Sequence, residues 1–460
     1  MGIALSKRKH ALALILLSVF LINTFLPTIF IVKAQSRTIT VPDDYATISE
    51  AIRNSNNGDT IFVKEGTYHE EAININKSIS LIAEDIDQTI LSLNPPLIQI
   101  NHLRNWIWIP QTAITINTDD AKLQGFTINL PDDNYGVGSG INAVGDRISL
   151  TDNKVANRSI YLRGSMLNIT RNLIPGTLEV VGSKLTITNN TIKDNLKIQG
   201  SFNIISSNKI DKSSYFSGIY LDGSFNWVFD NSFSSMEIGD SNFIINNSFT
   251  RLVMSGCSDN IISKNRVIGN LKFNDGIQLS YGENNTISAN NIRNCKRGLT
   301  LGTTHSTVVA NSIYLNNFEN NSDHIISLSG SDHTVNHFDN GVKGNYYDVY
   351  QGTDSNWDGV CDSPYTIQEI HWDEELKSDV TIVFFQDNYP LMSPFDIDSI
   401  SVELPEWAST SSTLPTPTPS PEPEPFPTTL VLSSAIIVIV GLGIFAYSKK
   451  YKGRKNLKDI

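Results

Sequence analysis

Residues whose types and spacing could do chemistry gather toward the C-terminal end of this 460-residue chain. The tightest group is Asp354-Ser-Asn-Trp-Asp-Gly-Val-Cys-Asp362. Asp354, Asn356 and Asp358 fall at alternate positions, Gly359 permits a sharp turn, Val360 can offer its carbonyl, and Asp362 stands at the ninth place. This order matches the first nine places of an EF-hand-type loop, where hard oxygen donors surround calcium. The twelfth place is Tyr365 rather than a bidentate Glu, so a further oxygen is needed, and Asp373-Glu374-Glu375 can offer one. The expectation is structural calcium that pins the C-terminal end. The alternative is an Asp/Asn/Gly turn that binds nothing.

Acid–base chemistry has weaker candidates. Cleaving a glycosidic bond takes two carboxylates at a defined separation, and Asp119, Asp120, Asp132 and Asp133 offer two adjacent pairs. Asp also builds turns, and a turn is the simpler reading of both pairs. A lyase would need a basic residue beside acidic cation ligands; Arg163, Lys197 and Lys272 are each eligible, and nothing in the sequence separates them. Aromatic rings can stack on sugar faces. Trp106 and Trp108 alternate, which puts both on one side of a strand, and Tyr346, Tyr347, Tyr350 and Trp357 cluster near the calcium-type loop. Trp106, Trp108, Tyr346, Tyr347 and Trp357 are the candidate binding residues. The alternative is rings that plug the end of a core.

What must position these side chains is a repeat. Asn, any residue, then Val, Ile or Phe recurs at Asn153–Val155, Asn172–Ile174, Asn190–Ile192, Asn208–Ile210, Asn231–Phe233, Asn247–Phe249, Asn265–Val267, Asn290–Ile292 and Asn311–Ile313. A period near 20 residues with occasional insertions is the mark of a solenoid. Each copy holds short alternating strands, such as 185–188 and 204–207, with no room for a ten-residue amphipathic helix. An all-β coiled ribbon, the parallel β-helix, remains. Asn tolerates left-handed backbone at turns and its amide both donates and accepts. The repeated Asn should therefore form a hydrogen-bonded ladder at the turns, and the apolar residue two places on should point inward.

The ends of the chain speak to compartment. Lys7, Arg8 and Lys9 precede an apolar run from Ala11 to Val32 and then Lys33-Ala34-Gln35, the order of a secretory signal peptide over 1–34; an uncleaved anchor is the competing reading. Residues 430–447 carry no charge and suffice for one transmembrane helix. The basic tail 448–460 that follows is placed in the cytoplasm by the positive-inside rule. Between them, the Pro/Thr/Ser-rich stretch 401–429 reads as an extended stalk. Setting both ends aside leaves 25 basic against 46 acidic residues, near −21, which argues against nucleic acid as partner. Cys257, Cys295 and Cys361 form neither a metal spacing nor a disulfide framework. Residues 35–110 then read as an N-terminal cap with the first coils, 111–340 as the repeats, and 341–400 as the C-terminal coil with the calcium loop.

The opening segment carries a resemblance. It runs Thr38-Ile-Thr-Val-Pro-Asp-Asp-Tyr-Ala-Thr-Ile-Ser-Glu-Ala-Ile52, then Asn57-Gly-Asp-Thr-Ile-Phe-Val-Lys-Glu-Gly-Thr-Tyr68 and Ile75-Asn-Lys-Ser-Ile-Ser-Leu-Ile82. With Gly344-Asn-Tyr-Tyr-Asp-Val-Tyr350 and Asp387-Asn-Tyr-Pro-Leu391 at the far end, it is similar to NosD-like and pectin-esterase-like right-handed β-helix proteins over about residues 38–392. Tyr45, Ile48, Ala51 and Ile52 have the spacing of a short amphipathic helix that could cover the first rung. The NosD resemblance also implies copper handling, for which His324, His333 and His337 are the imidazole candidates. Asn117-Thr-Asp119 resembles one element of polygalacturonases, but the Gly-His-Gly and Arg-x-Lys elements that accompany it are absent. The reading is therefore a cell-surface binding or structural module for carbohydrate, leaning away from an enzyme. A polysaccharide-degrading lyase or hydrolase is the alternative and a copper accessory protein the third.

Overall fold

The computed structural model describes residues 36–401 except 103–104, 111, 132–138, 157, 212–216, 273–274, 303–307, 329–335 and 374–377; for 97–102, 105–110, 308–309, 368–373 and 378–384 it describes the backbone alone. The signal-type segment, stalk, apolar segment 430–447 and basic tail lie outside the described residues. Among the described residues, no helix is long and apolar enough to cross a membrane.

The chain coils into a three-faced, right-handed parallel solenoid. One face is a 13-stranded sheet that begins with Thr38–Val41 and Thr60–Val63, and another is a 15-stranded sheet. The remaining face has 7- and 5-stranded sheets joined through single bridges at Ser232. One turn shows the path: Asn168–Thr170 lies on the first face, Leu173–Ile174 on the second and Leu178–Val181 on the third. The chain then returns to the first face at Thr186–Thr188, paired in register with Asn168–Thr170. Alternate residues point inward and stack, so Ile169, Ile187, Ile205, Val228, Ile244, Ile262 and Ile287 form one fully buried column. The residue two places after each repeated Asn, from Val155 to Ile313, is likewise buried, as the repeat demands.

A helix does span Ile48–Asn54, N-capped by Thr47, whose hydroxyl accepts from Glu50 N–H. Its buried Ile48, Ala51 and Ile52 face the first strands. Residues 97–102 and 105–110 leave the solenoid as an antiparallel hairpin. Another antiparallel pair, Tyr365–Asp373 with Ser378–Asp387, ends the third face. Beyond it the chain doubles back along the second face. Phe395 bonds Asn317, Asp398 pairs with Arg266, and Lys264 donates to the carbonyl of Ile400.

The Asn residues behave differently from their turn propensity. None of the nine takes a positive φ; the residue before each one does, from Asp152 (57°) and Arg171 (56°) to Ala289 and Ala310 (54°). That left-handed step makes the corner and leaves the following Asn pointing inward. There its Oδ1 accepts both the backbone N–H and the Nδ2 of the Asn one coil earlier. The resulting ladder runs Asn153, Asn172, Asn190, Asn208, Asn231, Asn247, Asn265, Asn290, Asn316, Asn345, with N–H to Oδ1 distances of 2.8–3.0 Å. Asn311 is not in it. It belongs to a second ladder at the corner between the third and first faces: Asn203, Asn226, Asn242, Asn260, Asn285, Asn311, Asn336. Those members also fit the repeat phrase, as in Asn203-Ile-Ile205 and Asn260-Ile-Ile262.

Candidate functional site

The outward face of the 15-stranded sheet carries two columns of side chains set by strand register. The first runs Asn142, Tyr161, Glu179, Lys197, Tyr220, Glu237. The second, two residues further along each strand, runs Val144, Arg163, Val181, Gln199, Asp222. The valley they line includes a cavity of about 480 Å3 bounded by Glu179, Lys197, Gln199, Tyr220, Asp222 and Glu237. A second cavity of about 370 Å3, bounded by Asn142, Tyr161 and Arg163, shares Glu179 and Val181 with it, so the two are continuous. At about 4.8 Å per rung, the groove extends roughly 24 Å from Asn142 to Glu237.

Its electrostatics lean acidic. Glu179 lies beside Lys197 in register, Lys197 beside Tyr220, and Tyr220 beside Glu237. Gln199 Nε2 donates to Asp222 Oδ2 at 3.1 Å. Burial, with Glu237 and Asp194 adding, pushes the Tyr220 phenol above its usual range, so it stays a neutral donor. Of the basic residues eligible from sequence, Arg163 and Lys197 line this groove; Lys272 stands apart, in the exposed loop that follows 266–268. Tyr161 and Tyr220 are the aromatic groups the sequence reading did not single out. The alternation 159–163 and 218–222 was their signal.

The sequence-derived candidates scatter. Asp120 is gripped by Arg147, Nε to Oδ1 at 2.7 Å and Nη2 to Oδ2 at 2.9 Å, which holds its carboxyl below the usual range. Asp119 accepts Asp146 N–H at 2.9 Å and lies 3.4 Å from Arg147. Both serve a turn, while Asp132 and Asp133 lie outside the described residues. Trp106 and Trp108 stand opposite Asn101 and Gln99 in the hairpin, their side chains undescribed. Tyr347 is 1% exposed, stacked on Phe318 and Tyr365, so it fills the core and no ligand can reach it. Tyr346 is half-buried beside Leu391, and Trp357 is 90% exposed at φ 63°.

The loop 354–362 is closed on itself. Asp354 accepts Asp358 N–H and Gly359 N–H, Asp358 accepts Val360 N–H, Asp358 Oδ2 also accepts Asn356 Nδ2, and Asp362 accepts Ser355 Oγ at 2.7 Å. Hydrogen bonds from Ser355 hold the Asp362 carboxyl below its usual range. Gly359 makes the expected turn at φ 85°, and Val360 pairs with Leu391. Among the described residues, no three His, Cys, Asp or Glu side chains gather as a metal set.

The imidazoles are also apart. His324 is buried on the third face; its Nε2 lies 3.0 Å from Asp348 Oδ1 but out of line for a hydrogen bond. Burial lowers its pKa while Asp348 opposes. His337 is exposed and bridges Ser312 on the first face, and His333 lies outside the described residues.

Known proteins supply three findings. Residues 240–352 match the family model described as NosD, periplasmic copper-binding protein. No curated protein matches the sequence. Among solved structures, the chain is similar to the A-module of the Azotobacter vinelandii mannuronan C-5 epimerase AlgE6, at 11% identity and a TM-score of 0.42 over 62% of this chain and 94% of that one. It is similar to a mannuronic-acid-specific family 6 polysaccharide lyase from human gut microbiota, at 14% and 0.40 over 64% and 83%. It is also similar to the PL6 alginate lyase AlyGC, at 13% and 0.43 over 81% and 59%. The three-faced solenoid makes this chain a parallel β-helix protein, and residues 240–352 of it are similar to the NosD family model.

Proposed function

We propose that this chain is an extracellular binding module whose 15-stranded face holds an extended carbohydrate polymer. The supporting observation is the continuous groove from Asn142 to Glu237, in which two tyrosines alternate with carboxylate, amine and amide groups. Such a surface offers a hydrogen-bond donor or acceptor at every one of its six rungs and an aromatic ring at two of them. A sugar chain, with its alternating apolar faces and hydroxyl edges, complements it. Structural calcium at Asp354, Asn356, Asp358, Val360 and Asp362, and an anchor at 430–447, complete the proposal.

The purified full chain, incubated with neutral and polyuronate glycans with calcium or chelator, tests this. Bound and released sugars are read together by mass spectrometry. Retention of intact glycan is expected, weakened about five- to tenfold by Tyr161→Ala or Tyr220→Ala, a ring contact being worth roughly 1–1.5 kcal/mol. Wild-type retention in both variants would remove the groove from the account.

Hydrolysis is the second reading, favoured by one observation. Asp222 sits two residues beyond Tyr220, which pairs with Glu237. Their α-carbons are thus about 8 Å apart on the diagonal. Carboxyls spaced roughly 6.5–9.5 Å apart suit an inverting displacement by water. Shortened products that vanish in Glu237→Gln would decide for it.

A further inference from the structure

The charges in the groove are unevenly placed. Its larger cavity, about 480 Å3, is bounded by three carboxylates, Glu179, Asp222 and Glu237, against one ammonium, Lys197. Arg163 stands toward the other end, with Glu179 on the rung beside it. Elsewhere on the solenoid, carboxylates are taken up by an arginine one coil later: Asp120 by Arg147, Asp152 by Arg171 and Asp275 by Arg297. The groove's carboxylates are left open. Among the described residues neither Glu179 nor Glu237 enters an ion pair or a side-chain hydrogen bond, although Lys197 lies beside Glu179 in register. Asp222 accepts only the neutral amide of Gln199, at 3.1 Å. Asp194, at the start of the Lys197 rung, adds to them, acting with Glu237 on the Tyr220 phenol.

We infer that this groove selects an amino-sugar polymer, one carrying free ammonium groups, over neutral and uronate polymers. The selection rests on the carbohydrate reading of the same groove proposed above. An ammonium set between Asp222 and Glu237 makes charge-assisted hydrogen bonds, roughly twice as strong as those a sugar hydroxyl makes. The rings of Tyr161 and Tyr220, which suit the apolar face of a sugar, also attract a cation. A uronate adds its own carboxylate to the three already there and finds one partner, Lys197. The excess of acidic over basic residues, 46 against 25 with both ends set aside, acts in the same sense at longer range. It draws a cationic polymer toward the surface and slows an anionic one.

Calorimetric titration of the purified full chain with three oligosaccharides of equal length tests this selection. They are a glucosamine oligomer, its N-acetylated counterpart, which keeps the backbone and loses the charge, and a uronate oligomer, each with calcium and with chelator. The glucosamine oligomer should bind about tenfold tighter than either of the others, and its advantage should shrink as salt is raised. Asp222 and Glu237 are exposed, so Asp222→Asn and Glu237→Gln should fold normally by urea titration. Each should cut the preference about threefold or more. Asp398→Asn removes the same charge on the second face and should leave the preference unchanged. Uronate bound as tightly as glucosamine in chelator, or a preference that survives the Asp222→Asn/Glu237→Gln double variant, would overturn the selection. Equal binding of the free and acetylated oligomers would also overturn it while leaving the groove a glycan site. Binding of none of the three would instead overturn the groove reading itself, and the selection with it.

Discussion

Asn208 shows what one side chain does in this fold. Its Oδ1 accepts Asn190 N–H at 2.9 Å and Asn190 Nδ2 at 3.0 Å, while its own Nδ2 donates to Ile187 O at 2.8 Å and to Asn231 Oδ1 at 3.0 Å. All of this is buried. A buried group left without a partner costs about 1–3 kcal/mol. Asn208→Ala should therefore lose at least about 3 kcal/mol by urea unfolding. The ladder ends differently. After Asn345 the acceptor is Asp387, whose Oδ2 takes Asn345 N–H at 2.7 Å and Tyr347 OH at 3.2 Å, and whose Oδ1 takes Tyr389 N–H. An aspartate suits the terminus, because every neighbour there donates and no acceptor awaits an amide. Burial raises its carboxyl from 3.8 to about 6 despite those donors. A raised acid holds its proton more tightly when folded, so this stabilisation is complete below about pH 3.8 and is lost as pH rises through about 6. His324, its pKa lowered by burial, acts in the opposite sense and loses stability as pH falls below 6.5. The difference between wild type and Asp387→Asn isolates the carboxyl: in urea unfolding between pH 4 and 7, the variant should lack the part of the decline that wild type shows as pH rises.

At the scale of elements, the corners constrain the sequence more than the strands do. Gly164, Gly182, Gly200 and Gly223 stack where the third-face strands end. A Cβ on Gly182 would meet Gly164 O at 1.8 Å, and one on Gly200 would meet Gly182 O at 1.8 Å. Backbone contacts of this kind cannot be relieved by a rotamer. Gly182→Ala should destabilise by more than about 3 kcal/mol, read by thermal or urea unfolding. The strap of residues 393–401 is held by lighter contacts. Arg266 and Asp398 are both exposed, and such a pair contributes under about 1 kcal/mol. Arg266→Ala should leave the unfolding midpoint nearly unchanged while speeding hydrogen exchange within 393–401.

Across the whole molecule, each coil touches mainly its two neighbours, so stability is a sum of coil and interface terms. Hydrogen exchange should report it: protection greatest in the middle coils, around 186–263, and falling toward both ends, with no single opening step. A glycan held in the proposed groove should protect only the third face around 142–237 from exchange.

The solenoid and its inward apolar column were legible in the sequence because a period near 20 and alternating burial are local properties. The phrase Asn-x-Val/Ile/Phe carries both, and the closing phrases 344–350 and 387–391, which meet at Asp387, are legible as local strings. Which Asn stacks on which could not be read. Asn311 and Asn316 both fit the phrase, and only the coil geometry sends Asn311 to a second corner and gives Asn316 the first ladder. Left-handed backbone likewise fell on Asp152, Arg171 and their equivalents, because the amide of the next residue is worth more pointing inward to a partner than spent on making the turn. The groove belongs wholly to the tertiary structure. Tyr161 meets Glu179 across 18 residues, and only the stacking of coils brings such distant positions into contact.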